Sequence, residues 1–74
     1  MLVHFDDLIS ETESGMRAKI HLTINSRTYK PEEKIPDDIQ IEQCPLQDMR
    51  GKILKADVVS GAIQINCIEP DLRD

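Results

Sequence analysis

Residues 51–70 have the sequence GKILKADVVSGAIQINCIEP, and this stretch decides the fold expected for the chain. Two runs rich in β-branched residues flank Ser60-Gly61, a dipeptide typical of a tight turn. A two-residue loop there pairs Val59 with Ala62. The antiparallel ladder then continues with Val58 opposite Ile63, Asp57 opposite Gln64, Ala56 opposite Ile65, Lys55 opposite Asn66, Leu54 opposite Cys67 and Ile53 opposite Ile68. The stretch therefore predicts a β-hairpin with a defined register.

The predicted hairpin has an apolar face and a mixed face, because directly opposed residues of an antiparallel pair share a face. The apolar face, expected to be interior, consists of Leu54, Ala56, Val58, Ile63, Ile65 and Cys67. A slip of one residue would mix apolar and polar side chains, so burial of this face specifies the register.

The mixed face carries apolar pairs at both ends of a polar centre, which indicates that another element, another subunit or a partner covers it. Its candidate protein-interface residues are Ile53, Lys55, Val59, Ala62, Asn66 and Ile68. Coverage from within the chain, by an N-terminal helix or a strand at residues 39–41, is the alternative and agrees equally well with the pattern.

A second hairpin is predicted over residues 16–31. Apolar residues at positions 18, 20, 22 and 24 alternate with polar ones, as in one half-buried strand, and Asn25-Ser26 supplies a tight turn. The turn pairs Leu22 with Tyr29, which brings Tyr29 into the core, and pairs His21 with Lys30. The outer face of this hairpin collects a candidate basic patch of Arg17, Lys19, His21 and Lys30.

The remaining segments predict shorter elements. A helix capped by Asp6 is expected to run to about Glu13, with a strand at residues 2–5 and a polar loop as the alternative. Residues 31–36, PEEKIP, predict a connector, and residues 38–44 predict one extended segment that Pro45 ends. Residues 45–50 predict a loop or a single helical turn anchored by Leu46 and Met49.

Together these segments predict a single mainly β domain over residues 1–74. We expect a small antiparallel sheet or a partly open barrel of about five short strands, with two tight hairpins and an optional short N-terminal helix. An α+β arrangement, with the helix packed on the sheet, is the alternative. Residues 1–15 are expected to be helical or flexible, residues 16–70 to form the β core, and residues 71–74 to be a mobile tail.

The length and hydropathy of the chain indicate the size of its core and its expected location. A chain of 74 residues buries a small core, which a second copy or a partner would supplement. The start lacks the pattern of a secretory signal and no apolar run approaches about 18 residues, so we expect a cytoplasmic location and no membrane contact.

The sequence contains few residues in the arrangements typical of catalytic sites. His4 and His21 have no nucleophile placed beside them, and three glycines do not make a phosphate-binding loop. We therefore expect no enzymatic activity, no cofactor and no small-molecule substrate. A metal or redox site using Cys44 and Cys67 is an alternative, but the close ligand spacings of zinc sites are missing and we favour free thiols.

The function that these observations favour is a non-catalytic protein-interaction or regulatory module, which binds a protein partner or itself as a homodimer through a sheet face. Nucleic-acid binding through the basic patch is the alternative. The net charge of −5 weakens attraction to phosphates, and the only aromatic residues, Phe5 and Tyr29, are both assigned to the core.

Overall fold

The computed structural model describes residues 1–68, and the side chains of residues 1–66. In this range the chain is mainly β, as predicted. Its strands are β1 (Leu2–His4), β2 (Ile9–Thr12), β3 (Gly15–Ala18), β4 (Leu22–Ile24), β5 (Arg27–Tyr29), β6 (Lys34–Ile35), β7 (Gln40–Ile41), β8 (Cys44–Pro45), β9 (Ile53–Val59) and β10 (Ala62–Ile68). A one-turn helix, α1 (Phe5–Leu8), follows β1, and a 3₁₀ turn, Leu46–Met49, precedes β9.

These strands form three sheets. The largest has five strands in the order β1-β9-β10-β4-β5, and all of its neighbours are antiparallel except β4 and β10, which run parallel. A second sheet has the order β2-β3-β6, and β7 pairs with β8 alone. Within residues 1–68 the sheets do not close into a barrel, which agrees with the predicted mainly β fold of short strands.

The hairpin of β9 and β10 confirms the first four predicted pairs, from Val59 opposite Ala62 to Ala56 opposite Ile65. Ser60 and Gly61 have φ values of 53° and 81°, as the favoured two-residue hairpin turn requires. The alternation of side chains and the turn dipeptide were therefore sufficient to find this part of the register.

Beyond Ile65 the register shifts, and Ile68 lies opposite Leu54. Two residues of β10, Asn66 and Cys67, consequently lie opposite the single residue Lys55, which is a β-bulge. The predicted pairs of Leu54 with Cys67 and of Ile53 with Ile68 are wrong for this reason.

The hairpin of β4 and β5 confirms the turn at Asn25-Ser26, where φ is 52° and 70°, and the pairing of Leu22 with Tyr29. The single strand predicted over residues 16–24 is wrong, because the chain bends between β3 and β4 and the two parts enter different sheets. His21 is outside the β4–β5 ladder. Its carbonyl accepts a hydrogen bond from the amide of Ile63 at 3.1 Å.

The N-terminal helix predicted to reach about Glu13 is also wrong. Only Phe5–Leu8 is helical, and Asp6 lies inside this turn instead of capping it. Phe5 and Leu8 are buried, so the helical spacing of the apolar residues is satisfied by one turn. The polar residues that follow form β2, which pairs with β3, and β1 supplies the strand that the alternative prediction places at residues 2–5.

Residues 31–45 contain more strand than predicted. The connector holds β6, whose Ile35 is fully buried and which pairs with β3. The extended segment at residues 38–44 is a small hairpin, because Glu42 and Gln43 turn the chain with φ values of 47° and 71°. Leu46 and Met49 are fully buried, which confirms them as anchors of the helical turn.

The core lies between one face of the five-stranded sheet, here called the inner face, and the remaining elements. Leu54, Ala56 and Ile65 are buried there as predicted, and Ile63 is half-buried. Val58 was predicted to be interior but is 63% exposed, because it lies near the tip of the hairpin, beyond the elements that cover the inner face. The side chain of Cys67 lies outside the described part of the structure.

Candidate functional site

The outer face of the five-stranded sheet, which is the mixed face of the hairpin, is not covered by any element within residues 1–68. Phe5 and Leu8 of α1 and Ile41 of β7 belong to the core cluster, with Ile39 packed against it. They therefore lie on the inner side of the sheet. The alternative in which the N-terminal helix or residues 39–41 cover the mixed face is wrong.

The candidate interface residues differ in how accessible they are. Lys55 is exposed and Val59 is 47% exposed, whereas Ile53 and Asn66 are half-buried. Ala62 is only 6% exposed, because it is a small side chain on a central strand with a neighbouring strand on each side. It presents little surface to a partner. The sixth residue, Ile68, has a side chain outside the described part.

The edge of β9 is partly covered by β1, a pairing that the sequence did not predict. The register runs from His4 opposite Ile53 to Leu2 opposite Lys55. The Met1 amine donates to the Ala56 carbonyl at 2.8 Å, and the Ala56 amide donates back at 2.7 Å. Pairing between β1 and β9 therefore extends to Ala56.

Val58 lies beyond this pairing and has its backbone polar groups directed at the open edge. Its cross-strand neighbour Ile63 donates its amide away from β9, to the carbonyl of His21. Hydrogen-bonded and non-hydrogen-bonded pairs alternate along an antiparallel ladder, and this direction of the Ile63 amide makes Val58 and Ile63 a pair without mutual hydrogen bonds. The amide and carbonyl of Val58 thus point out of the sheet, on the side where Ala56 bonds to Met1, and no residue of the described chain bonds to them.

Four large apolar side chains surround this open edge, and they are all of the large hydrophobic side chains exposed among residues 1–66. Their exposed fractions are 54% for Met1, 61% for Leu2, 63% for Val58 and 47% for Val59. The register places Met1 and Val58 toward the inner face and Leu2 and Val59 toward the outer face. We refer to these four residues as the β9 corner. Of the four, only Val59 is among the predicted interface residues, because Met1 and Leu2 reach the corner through the unpredicted β1–β9 pairing and Val58 was assigned to the interior.

The acidic group at the open edge is Asp57, which lies between Val58 and Ala56 on β9, next to the Met1 ammonium that is bonded to the Ala56 carbonyl. Its side chain is on the outer face, where its Oδ2 accepts a hydrogen bond from the Asn66 amide nitrogen at 3.2 Å. Asp57 is exposed. A group approaching the edge on the outer side therefore meets the Asp57 carboxylate between Val59 and Lys55, which lie on the same face of β9.

The residues of the basic patch do not lie on one hairpin face, because Arg17 is in β3 and the chain bends before His21. Arg17 donates to the hydroxyl of Ser14 at 3.0 Å and to the carbonyl of Glu32 at 2.9 Å, and the ammonium of Lys19 donates to the carbonyl of Asp6 at 2.6 Å. The bend between β3 and β4 separates Arg17, in β3, from His21, which precedes β4.

The two aromatic residues also contribute no stacking surface. Phe5 and Tyr29 are 2% and 1% exposed, and both belong to the core as predicted. The guanidinium of Arg27 lies 4.6 Å from the centre of the Tyr29 ring. Recognition of single-stranded nucleic acid commonly uses exposed rings, so neither aromatic residue adds to the basic patch.

A polar cleft of about 360 Å³ opens beside the β2–β3 turn. It is lined by residues 11–16 together with Asp37, Gln47 and Arg50. Arg50 forms an ion pair with Glu11. The lining contains carboxylates and hydroxyls but no histidine or cysteine, so it offers no nucleophile with an imidazole base.

Of the two cysteines considered for a metal or redox site, only Cys44 has a described side chain. Cys44 has a free thiol and is half-buried against the core, while the side chain of Cys67 is outside the description. His4 lies on β1 and His21 precedes β4, on opposite sides of the β9–β10 hairpin. Among the side chains that are described, no three His, Cys, Asp or Glu residues are grouped in a way that would hold a metal ion.

No protein-family model matches the chain, and no curated protein or solved structure matches it significantly. In the described range, neither helical turn has the length and apolar character needed to cross a membrane.

Proposed function

We propose that this chain is a non-catalytic interaction module that binds a protein partner through the β9 corner. The observation that carries the proposal is the collection of exposed apolar side chains at one place. Single exposed apolar residues are normal on a protein surface. A cluster of four beside an unpaired strand edge is characteristic of a contact surface.

The rest of the outer face supports a contact at the corner instead of one across the whole sheet. The register aligns Asp57, Gln64, Thr23 and Thr28 across four strands. The Thr23 and Thr28 hydroxyls are hydrogen-bonded to each other at 2.9 Å. Beyond β9 this polar row, Gln64, Thr23 and Thr28, needs no partner, because its groups are solvated or satisfied within the sheet.

The experiment is affinity capture with a C-terminally tagged chain and two variants. One variant, Leu2→Asp with Val59→Asp, places charge on the outer side of the β9 corner. The control, Lys30→Asp, places charge near the opposite edge of the sheet, after β5. We expect the wild-type chain and the control to retain a common partner that the double variant loses. Retention of the same proteins by all three chains, or of none, would overturn the proposal.

Self-association is examined in the same preparations. Sedimentation equilibrium of the wild-type chain over a wide concentration range gives its mass. A dimer lost in the double variant would make the partner a second copy, and a monomer at all concentrations would make it another protein.

A further inference from the structure

The open edge of β9 at Val58 is a hydrogen-bonding position as well as an apolar one. The amide and carbonyl of Val58 point into the row that β1 occupies farther along the strand, next to the bonds between Ala56 and Met1. An extended segment placed in this row would exchange two backbone hydrogen bonds with Val58 and continue the sheet, as in recognition by strand addition.

We infer that the partner of the β9 corner is an extended peptide segment that adds to β9 at Val58 and carries alternating apolar and basic side chains. This inference rests on the proposed function, and it specifies the form and chemistry of the partner.

The apolar part of the pattern follows from the two faces of the corner. A residue directly opposite Val58 has its side chain on the inner-face side, next to Val58 and Met1, which are 63% and 54% exposed. An apolar residue at that position removes all three side chains from water.

The basic part follows from charge. The residues on either side of that position direct their side chains to the outer face, where one of them lies opposite Asp57 and the other opposite Val59. A lysine or arginine there pairs with the Asp57 carboxylate, while its aliphatic stem covers Leu2 or Val59. The net charge of −5 also favours encounter with a basic segment.

The same charges disfavour a second copy of this chain as the occupant. A twofold axis at Val58 would pair the two Val58 residues and place Asp57 opposite Val59 of the other copy. The two Asp57 carboxylates would then be diagonal neighbours on one face of the joint sheet, where like charges repel. Each copy also carries the same net charge of −5.

The first test uses blocked hexapeptides with a fluorescent label and measures binding by anisotropy at low salt. We expect a peptide of alternating Val and Lys to bind, and binding to weaken at least about tenfold when its valines are N-methylated, because the methyl groups block the backbone hydrogen bonds. A peptide of alternating Val and Glu should bind at least about tenfold more weakly. Equal binding of the N-methylated peptide, or preference for the Glu peptide, would overturn the inference.

The second test uses variants of the chain. Val58→Pro removes the edge amide, and Asp57→Asn removes the charge while leaving an acceptor for Asn66. Both are expected to weaken binding of the Val/Lys peptide by about five- to tenfold. The matched control, Asp38→Asn, removes an exposed carboxylate elsewhere and should bind as the wild-type chain does. Circular dichroism checks folding. If Val58→Pro does not fold, Val58→Lys replaces it, since its added charge should repel the Val/Lys peptide.

The outcomes separate this inference from the proposed function. Loss of a captured partner in the Leu2→Asp, Val59→Asp variant, together with no peptide binding or with unchanged binding in the Val58 variants, would leave the β9 corner as a contact surface but exclude strand addition. Failure of both experiments would overturn both proposals.

Discussion

Leu54 and Val58 lie on the same face of β9, four residues apart, and their substitution by alanine should have very different effects on stability. Leu54 is 0% exposed in the centre of the core, whereas Val58 is 63% exposed at the hairpin tip. Leu54→Ala removes buried carbon atoms and leaves a cavity, which should cost about 2–5 kcal/mol of unfolding free energy. Val58→Ala removes methyl groups that already contact water and should cost less than about 1 kcal/mol.

Urea denaturation followed by far-ultraviolet circular dichroism measures both values, with the slope of unfolding free energy against urea checked for each variant. A domain of this size has a total stability of about 4–11 kcal/mol, so Leu54→Ala takes a large part of it. If that variant does not fold, Ile65→Val at a buried position in β10 should still cost about 0.5–1.5 kcal/mol. Equal losses for Leu54→Ala and Val58→Ala would refute the distinction between buried centre and exposed tip.

Three further predictions concern turns and charge. Ser26→Gly should raise the unfolding free energy by about 0.5–1 kcal/mol in urea, because Ser26 has a φ of 70° that glycine adopts without strain; a decrease would contradict this. Gly15→Ala should lower it by about 1–3 kcal/mol, because φ is 110° and the new methyl group would lie 3.2 Å from Cε of Lys34; an unchanged urea midpoint would count against the geometry. The amide of Lys30 donates a hydrogen bond to the Glu33 carboxylate, which lowers the pKa of Glu33 below its ordinary value of 4.5. The Arg27 guanidinium lowers this pKa further, by a smaller amount. The ionised Glu33 carboxylate therefore stabilises the fold above pH 4.5, and this stabilisation is lost as the pH falls through the folded-state pKa. Glu33→Gln should flatten the acid side of a plot of melting temperature against pH. An unchanged acid slope would exclude this contribution.

The parts of the fold predicted correctly are those specified by neighbouring residues. Ser60-Gly61 and Asn25-Ser26 carry turn residues that tolerate positive φ, and alternating apolar residues then set the facing of the flanking strands. The turn at Glu42-Gln43 has the same sign of φ but no such residues, so the extended segment at residues 38–44 gave no indication of its reversal. Alternation also predicted which side chains of residues 16–24 face inward, although it could not show that the two halves pair with different strands.

The candidate site could be predicted only in part, because it depends on contacts between residues distant in the chain. The hairpin pattern identified Val59, but the β9 corner also requires residues 1 and 2 to reach β9, more than 50 residues later in the sequence. The exposure of Val58 depends on where the elements that cover the inner face end. The local sequence pattern around Val58 does not indicate this position. The bulge at Asn66 and Cys67 lacks the glycine that often marks such irregularities, so the register beyond Ile65 was not recoverable from alternation.

The parallel pairing of β4 with β10 has a consequence for how the chain folds. The two local hairpins need only tight turns to form, on a timescale of about 1–10 μs for such elements. The partners Leu22 and Ile63 are separated by about 40 residues. Bringing them together costs the conformational entropy of closing this loop before the stabilising contact between β4 and β10 has formed. We therefore expect two early hairpins and a slower docking step between them, with relaxation in milliseconds or longer that a stopped-flow measurement would resolve.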